Sequence, residues 1–430
     1  MTFEEVPNER WIGAQPGRFS EWVVGTDRLR GRPFAVPLPE GVAQHVTLVG
    51  VTGSGKTTTA EQLAQAAIGR GLPVVIVDAK GGGLRTAARV MAARCGEPYA
   101  ELVPGVPDSL GYNPCAVGSR SQVADKLVSA FAYGPNAEIY RVIAQEAIAV
   151  LVGVLRALDE PVTVRRLRHE LDRARMAGLA HRSRAVAPQL AADLAELGKR
   201  GGVHGEALEG MRARLGALLH GEYGELFEGE GEQLDLRDAL TTSGVTYISL
   251  PALAVTKDTA LMARVLIQDL KQAAHQRLQE PTSTPALLIL DEFAALDDPD
   301  QVCDLLRQAR EARVATAVST QHLPDRATAY ALHATLLGAG LLIAHRCGSD
   351  DAESVAAVIG TEKGVEVTRQ VDSGANTGVG SVRRVDRYVV NPNAIKQLVT
   401  GDAVVLAAVG ERRVATVRVA SEPPARQATP

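Results

Sequence analysis

Short runs of β-branched and aliphatic residues alternate with helical spacing along two separated stretches of the chain. In the first, residues 41–118, His45-Val46-Thr47-Leu48-Val49 and Pro73-Val74-Val75-Ile76-Val77-Asp78 read as buried strands. Residues 58–71 and 84–93 carry apolar side chains at i, i+3, i+4 spacing and read as helices. From 119 to 237 the strand signals vanish. Residues 137–158 and 187–218 have helical spacing there, with Asp159-Glu160-Pro161 and Gly201-Gly202 as punctuation. The strand–helix rhythm returns at 243, with strands at 245–250, 286–290, 314–319 and 341–344 and helices at 258–278 and 300–311. Such alternation predicts one mostly parallel sheet interrupted by an all-helical insertion.

The C-terminal part is less regular. Residues 365–368 and 381–390 alternate around a soft loop at 373–378 and predict a β-hairpin; 402–408 and 412–419 read as two last strands. The domain expectation is an N-terminal segment at 1–40, a discontinuous α/β domain at 41–118 and 238–418, the insertion at 119–237 and a disordered tail from 419 to 430. No internal repeat is present.

Composition narrows the class. At 430 residues and 46% hydrophobic the chain is an ordinary globular one, and its net charge of −4 argues against a protein held on nucleic acid by overall charge. Cys95, Cys115, Cys303 and Cys347 lie far apart without metal-ligand spacing, which suits a reduced cytosolic protein. No run approaches the roughly 18 apolar residues of a membrane span, and residues 1–10 are not signal-like.

Against that background Gly50-Val51-Thr52-Gly53-Ser54-Gly55-Lys56-Thr57 stands out, a complete P-loop set between a predicted strand and a predicted helix. Backbone N–H groups of Thr52, Gly53, Ser54, Gly55 and the helix start at Thr57 and Thr58 would hold phosphates. Lys56 would reach the terminal phosphates and the Thr57 hydroxyl would hold Mg²⁺. Leu287-Leu288-Ile289-Leu290-Asp291-Glu292 is an apolar strand ending in two acids. The first would organise Mg²⁺ and the second polarise water, a pair suited to hydrolysis rather than to phosphate transfer between substrates. Gln321 closes the next strand and would face the γ-phosphate; alone it reads more simply as a polar strand end. Asp78 and Lys80 close the second strand, either at the Mg²⁺ site or simply in a glycine-rich turn. A base-recognition Asn-Lys-x-Asp motif is absent, which favours ATP.

Taken together, these motifs resemble the type IV secretion coupling proteins, the TraG/TraD-like branch of the FtsK–HerA superfamily. The resemblance runs through residues 50–59, Val77-Asp78-Ala79-Lys80-Gly81, the Tyr112-Asn113-Pro114 segment before the insertion, Asp291-Glu292-Phe293-Ala294 and Ser319-Thr320-Gln321. It continues through Gly378-Val379-Gly380-Ser381, Asn391-Pro392 and residues 398–405, covering roughly 25–410. It implies a RecA-like P-loop NTPase fold and a ring, a hexamer, with ATP and Mg²⁺ bound between subunits. It also implies roles: Lys56 and Thr57 on phosphate and Mg²⁺, Asp291 on the metal, Glu292 on water, Gln321 on the γ-phosphate. Arg310 takes the position of an arginine finger acting on the neighbouring subunit, with Arg346 as the second candidate. Arg307 and Arg313 fit an exposed, salt-bridged helix face.

Such proteins commonly carry an N-terminal membrane anchor. The expectation here is a cytoplasmic protein, held at the inner face of the membrane through a partner or given a duty outside conjugation. Trp11 and Trp22 fit a small packed cap or a dock for such a partner.

The implied activity is an ATP-hydrolysing DNA translocase working with a relaxase complex and a secretion channel. Two rivals stand beside it, an ATPase that moves protein and a nucleotide-gated adaptor that moves nothing. For DNA, Arg165, Arg166, Arg168, Arg173, Arg175, Arg182 and Arg184 form a basic stretch in the insertion. On one helix Arg165, Arg168 and Arg175 would share a side and Leu167 and Leu171 the core; a solvated charged helix fits equally. Arg369, Arg383, Arg384 and Arg387 of the hairpin are weaker candidates.

Overall fold

A computed structural model describes residues 21–37, 44–134, 136–227, 231–251, 256–279, 284–292, 298–372, 375–409 and 411–419. Trp11, the tail beyond 419, the Phe293-Ala294 part of the acidic motif and the loop residues Ser373 and Gly374 lie outside them.

The strands in chain order are β1 (Glu21–Asp27), β2 (Pro33–Pro37), β3 (Val46–Val49), β4 (Pro73–Asp78), β5 (Tyr99–Leu102), β6 (Gly244–Ser249) and β7 (Ala286–Asp291). They continue with β8 (Val314–Thr320), β9 (Leu341–Ala344), β10 (Thr361–Asp372), β11 (Ala375–Tyr388), β12 (Asp402–Ala407) and β13 (Arg413–Val419). All except β10 and β11 join one 11-stranded sheet, in the order β2-β1-β13-β12-β9-β3-β8-β7-β4-β6-β5. From β9 to β5 every pairing is parallel, and β12, β13, β1 and β2 extend it antiparallel. This is the mostly parallel, RecA-like α/β sheet expected of the sequence.

Continuous apolar runs make these strands because both sheet faces are covered. Every residue of β3, β4, β7, β8 and β9 is buried. Along one face Leu48, Val74 and Ile76 pack against α1 (Lys56–Ile68) and α2 (Arg85–Cys95). Along the other, Val49, Val75 and Val77 meet the remaining large helices. Those between β5 and β6 are α3 (Arg120–Ser129), α4 (Glu138–Ala157), α5 (Val164–Glu170), α6 (Arg173–Ser183), α7 (Pro188–Lys199), α8 (Val203–His220) and the short α9 (Leu236–Ala239). After β6 come α10 (Thr256–Arg277), α11 (Pro299–Glu311), α12 (Tyr330–Leu337), α13 (Ser349–Ile359) and α14 (Pro392–Lys396).

Several elements differ from the sequence pattern. Within residues 21–37, β1 and β2 cap the β13 edge, with Trp22 and Val24 in the core. An uncapped β13 would leave a row of unpaired backbone groups. β5 is a further parallel edge strand, half-buried at Tyr99 and Ala100, too short and polar to stand out by periodicity. The long helical pattern at 187–218 is two helices, parted at Gly202, whose φ of +54° suits glycine.

The basic stretch is also not one helix. Asp172 accepts from Ala174 N and Arg175 N, both at 3.1 Å, and starts a new helix there, so Arg165 and Arg168 do not share a helical face with Arg175. Leu167 and Leu171 are buried as expected, but much of the arginine charge is spent locally. Arg166 pairs with Glu160 and Glu170, Arg182 with Glu160, and Arg173 bonds the carbonyls of Gly198 and Lys199.

β10 and β11 form a separate two-stranded ribbon, longer than the predicted hairpin. Val365 and Val367 on β10 and Val382 on β11 are exposed. Among the described residues no helix is long and apolar enough to cross a membrane.

Candidate functional site

The P-loop leaves the carboxyl end of β3, where an α/β sheet presents its ligands. Gly50, Gly53 and Gly55 all have positive φ, at +157°, +72° and +118°, so the turn can curl tightly before α1 begins at Lys56. A Cβ on Gly50 would lie 2.8 Å from His345 Cβ, so that glycine is required by close approach. Ser54 and Lys56 are buried; Thr57 and Thr58 are half-buried in the first turn of α1, and Thr52 and Gly53 face solvent. The Lys56 ammonium donates to the carbonyls of Gly50 and Val51. Burial, and after it the nearby Lys80 charge, lowers its pKa.

Side chains from the ends of β8, β7 and β4 gather beside this turn. The Thr52 hydroxyl donates to Gln321 Oε1 at 2.9 Å. Gln321 Nε2 donates to Glu292 Oε2 at 3.1 Å, and Gln321 N to Glu292 Oε1 at 3.3 Å. Glu292 itself has φ of +58°, the left-handed region that a long side chain enters at a cost of about 1–3 kcal/mol. That strain turns its carboxylate toward Gln321 rather than onward along the strand. Lys80 Nζ lies 3.5 Å from Glu292 and 3.9 Å from Asp291 and balances both charges.

Asp291 is 1% exposed, and neither of its carboxylate oxygens has a hydrogen-bond partner among the described residues. The buried Ser54 hydroxyl is likewise unbonded, and the Ser319 hydroxyl stands beside Asp291. Burial raises the Asp291 pKa, with Lys80 and Ser319 pulling the other way. A buried carboxyl group with open acceptor sites is the donor set a hard divalent cation fits.

Asp78 does something else. Its Oδ1 accepts from Lys80 N at 2.9 Å and Gly81 N at 3.1 Å, and its Oδ2 from Gly82 N at 3.1 Å, Leu84 N at 3.2 Å and the Tyr247 hydroxyl at 2.8 Å. In this arrangement the carboxylate shapes the turn that delivers Lys80, the second of the two settings the sequence allowed.

The two arginine candidates separate. Arg310 is exposed near the end of α11, just before β8 starts at the amino ends of the parallel strands, the edge opposite its own P-loop. Arg346 follows β9 on the P-loop side, and its carbonyl accepts from Val51 N at 2.8 Å.

Sequence reasoning missed the floor of the loop. His345 is fully buried, with Nδ1 3.1 Å from the Asp402 carbonyl and Nε2 2.9 Å from Thr59 Oγ1. Burial brings its pKa down to about 4. Thr400 Oγ1 donates to Gly53 O at 3.1 Å and Gly401 N to Ser54 O at 3.0 Å, so the start of β12 clasps the P-loop from the far side. The only available signal was a histidine closing an apolar strand.

Comparison with known proteins agrees with this geometry. A family model described as the central domain of helicase HerA matches residues 29–82, the stretch holding the P-loop and Asp78. The bacterial conjugative coupling protein TrwB, as its ΔN70 form, superposes with a TM-score of 0.65 at 18% identity over 94% of this chain and 90% of that one. The fold is that of the conjugative coupling proteins. A TrwB structure in complex with ADP and Mg²⁺ shares this coupling-protein fold at 19% identity and a TM-score of 0.61, covering 95% of this chain and 97% of that one. VirB4 of Thermoanaerobacter pseudethanolicus follows with a TM-score of 0.58 at 15% identity, over 94% and 97%. No curated protein matches the chain by sequence.

Proposed function

We propose that the protein hydrolyses ATP in a ring of identical subunits and uses it to drive DNA through a type IV secretion system. The observation that carries this reading is the convergence of Thr52, Gln321 and Glu292 beside an unbonded, buried Asp291. Thr57 and Asp291 would hold Mg²⁺, which when bound supplies charge for the phosphates. Glu292 would take a proton from water as that water attacks in line. Gln321, bonded to both Glu292 and Thr52, would exchange those bonds when a γ-phosphate enters, and so report its presence. Lys56 would turn from the Gly50 and Val51 carbonyls to the terminal phosphates.

From the sheet edge opposite its own P-loop, Arg310 would act at the site of the next subunit. The helices from α3 to α9 would then act as an inserted domain on the ring. Support for the setting comes from the coupling-protein fold and the HerA model.

The test is ATPase rate with added single- or double-stranded DNA at two salt concentrations. Stimulation that weakens with salt is expected. A rate indifferent to DNA across a range of protein concentrations sinks the DNA reading. A second reading, the same chemistry moving protein, is favoured by the net charge of −4 and by the local pairing of the insertion's arginines.

A further inference from the structure

The P-loop has two flanks, and the chemistry above uses one. β8 and β7 lie on one side of β3, and β9 and β12 on the other. Asp291, Glu292 and Gln321 all belong to the β7–β8 flank. A triphosphate laid along the loop with its terminal phosphate toward those groups must carry its nucleoside out over the β9–β12 flank.

What stands there is the segment 399–401. β12 runs antiparallel to β9, so its first residue, Asp402, lies at the edge where the parallel strands end. The segment is fastened to the loop through Thr400 on Gly53 and Gly401 on Ser54, and a Cβ on Gly55 would approach Gly401 Cα to 3.3 Å. Arg418 fixes it from behind, donating to Thr400 O at 2.8 Å and pairing with Asp402 at 2.7 Å. On this rigid backbone Val399 is 52% exposed. A single exposed valine means little elsewhere on a surface. Here it adjoins Thr400, which is bonded to the P-loop on the flank away from Asp291, Glu292 and Gln321.

We infer that residues 399–401 form the nucleoside wall of the site, with Val399 as the apolar platform for the base. This rests on the nucleotide reading of the P-loop. The Thr400 carbonyl and both Gly401 backbone groups are already bonded, the last to Val419 N at 2.8 Å. The wall therefore holds a base by contact more than by reading its edge, and adenine and guanine nucleotides gain alike.

The experiment titrates ATP, GTP and inorganic tripolyphosphate, each with Mg²⁺, into the full chain by calorimetry. Val399→Tyr should tighten both nucleotides roughly fivefold by stacking. Val399→Ser should weaken both roughly threefold through lost apolar contact. Tripolyphosphate affinity should stay unchanged in both, which also shows that the loop is intact. Nucleotide affinities that do not move, or that move together with tripolyphosphate, overturn the wall. Lys56→Ala should lose all three ligands. Undiminished tripolyphosphate binding in that variant would bring down the P-loop reading itself, a result separable from failure of the wall alone.

Discussion

His345 Nε2 lies 2.9 Å from Thr59 Oγ1, joining the end of β9 to the helix that the P-loop starts. Because Nδ1 faces the Asp402 carbonyl, which can only accept, the ring proton sits on Nδ1 and Nε2 accepts from Thr59. The bond needs a neutral ring, which burial enforces by bringing the pKa from 6.5 to about 4.

Acid should therefore loosen this floor. The folded state takes up the proton at lower pH than the unfolded state, whose imidazole titrates near 6.5. The stability is complete above that value and falls as pH drops toward 4, by about 3 kcal/mol. Urea melts of wild type and His345→Asn at pH 7.5 and 4.5 isolate the contribution. Wild type should lose more stability than the variant by about 2–3 kcal/mol; parallel losses would refute the assignment.

Glu292→Gln should keep nucleotide binding and lose about 10²–10⁴ in turnover, the usual contribution of a positioned base. Binding by calorimetry and steady-state ATPase rate separate the two effects. Retained turnover would assign water activation to another group.

Arg310→Ala should lower the rate by about 10³ or more if the residue meets charge on a neighbour's γ-phosphate. Mixing Arg310→Ala with Glu292→Gln subunits should recover part of the activity, because some seams then pair an intact Arg310 with an intact Glu292. Mixed assemblies without any recovery would reject action across subunits. The same mixture made with Arg346→Ala tests the second candidate.

A fourth expectation concerns the joint between helices and sheet. Lys126, 1% exposed in its side chain, pairs with Asp269 at 2.6 Å, and the Tyr112 hydroxyl donates to the same carboxylate at 2.8 Å. This ties α3 to α10 and to the Tyr-Asn-Pro segment. Lys126→Met strands a buried charge and should cost about 3–5 kcal/mol in denaturant melts. Pairing it with Asp269→Leu should restore part of that loss.

Much of the site was legible because its local pieces each carry a pattern: strand, glycine turn and helix at 46–68, an apolar run ending in two acids, and Gln321 closing the next strand. The strands of the parallel sheet were legible for the same reason, being buried on both faces. What escaped depends on contacts far apart in sequence. Thr52 meets Gln321 across 269 residues, and Thr59 meets His345 across 286. The sequence left Asp78 between two settings, because a carboxylate that binds metal and one that binds its own turn look alike there; the structure shows the turn bonds. The break in the basic stretch is readable in the sequence, since Asp172 is a good helix cap, but the arginines continue across it on both sides.

The ribbon of β10 and β11 roots at Gly360, which follows α13 with φ of +96°. Asp351 in the first turn of α13 accepts from Leu323 N at 3.1 Å and lies 3.1 Å from His322, the residue after Gln321. β10 has 12 residues, so at about 3.3 Å each it reaches about 40 Å, and a tilt of about 10° at its root sweeps its far end by about 7 Å. A ribbon with the span of a whole domain is thus rooted one helix away from Gln321.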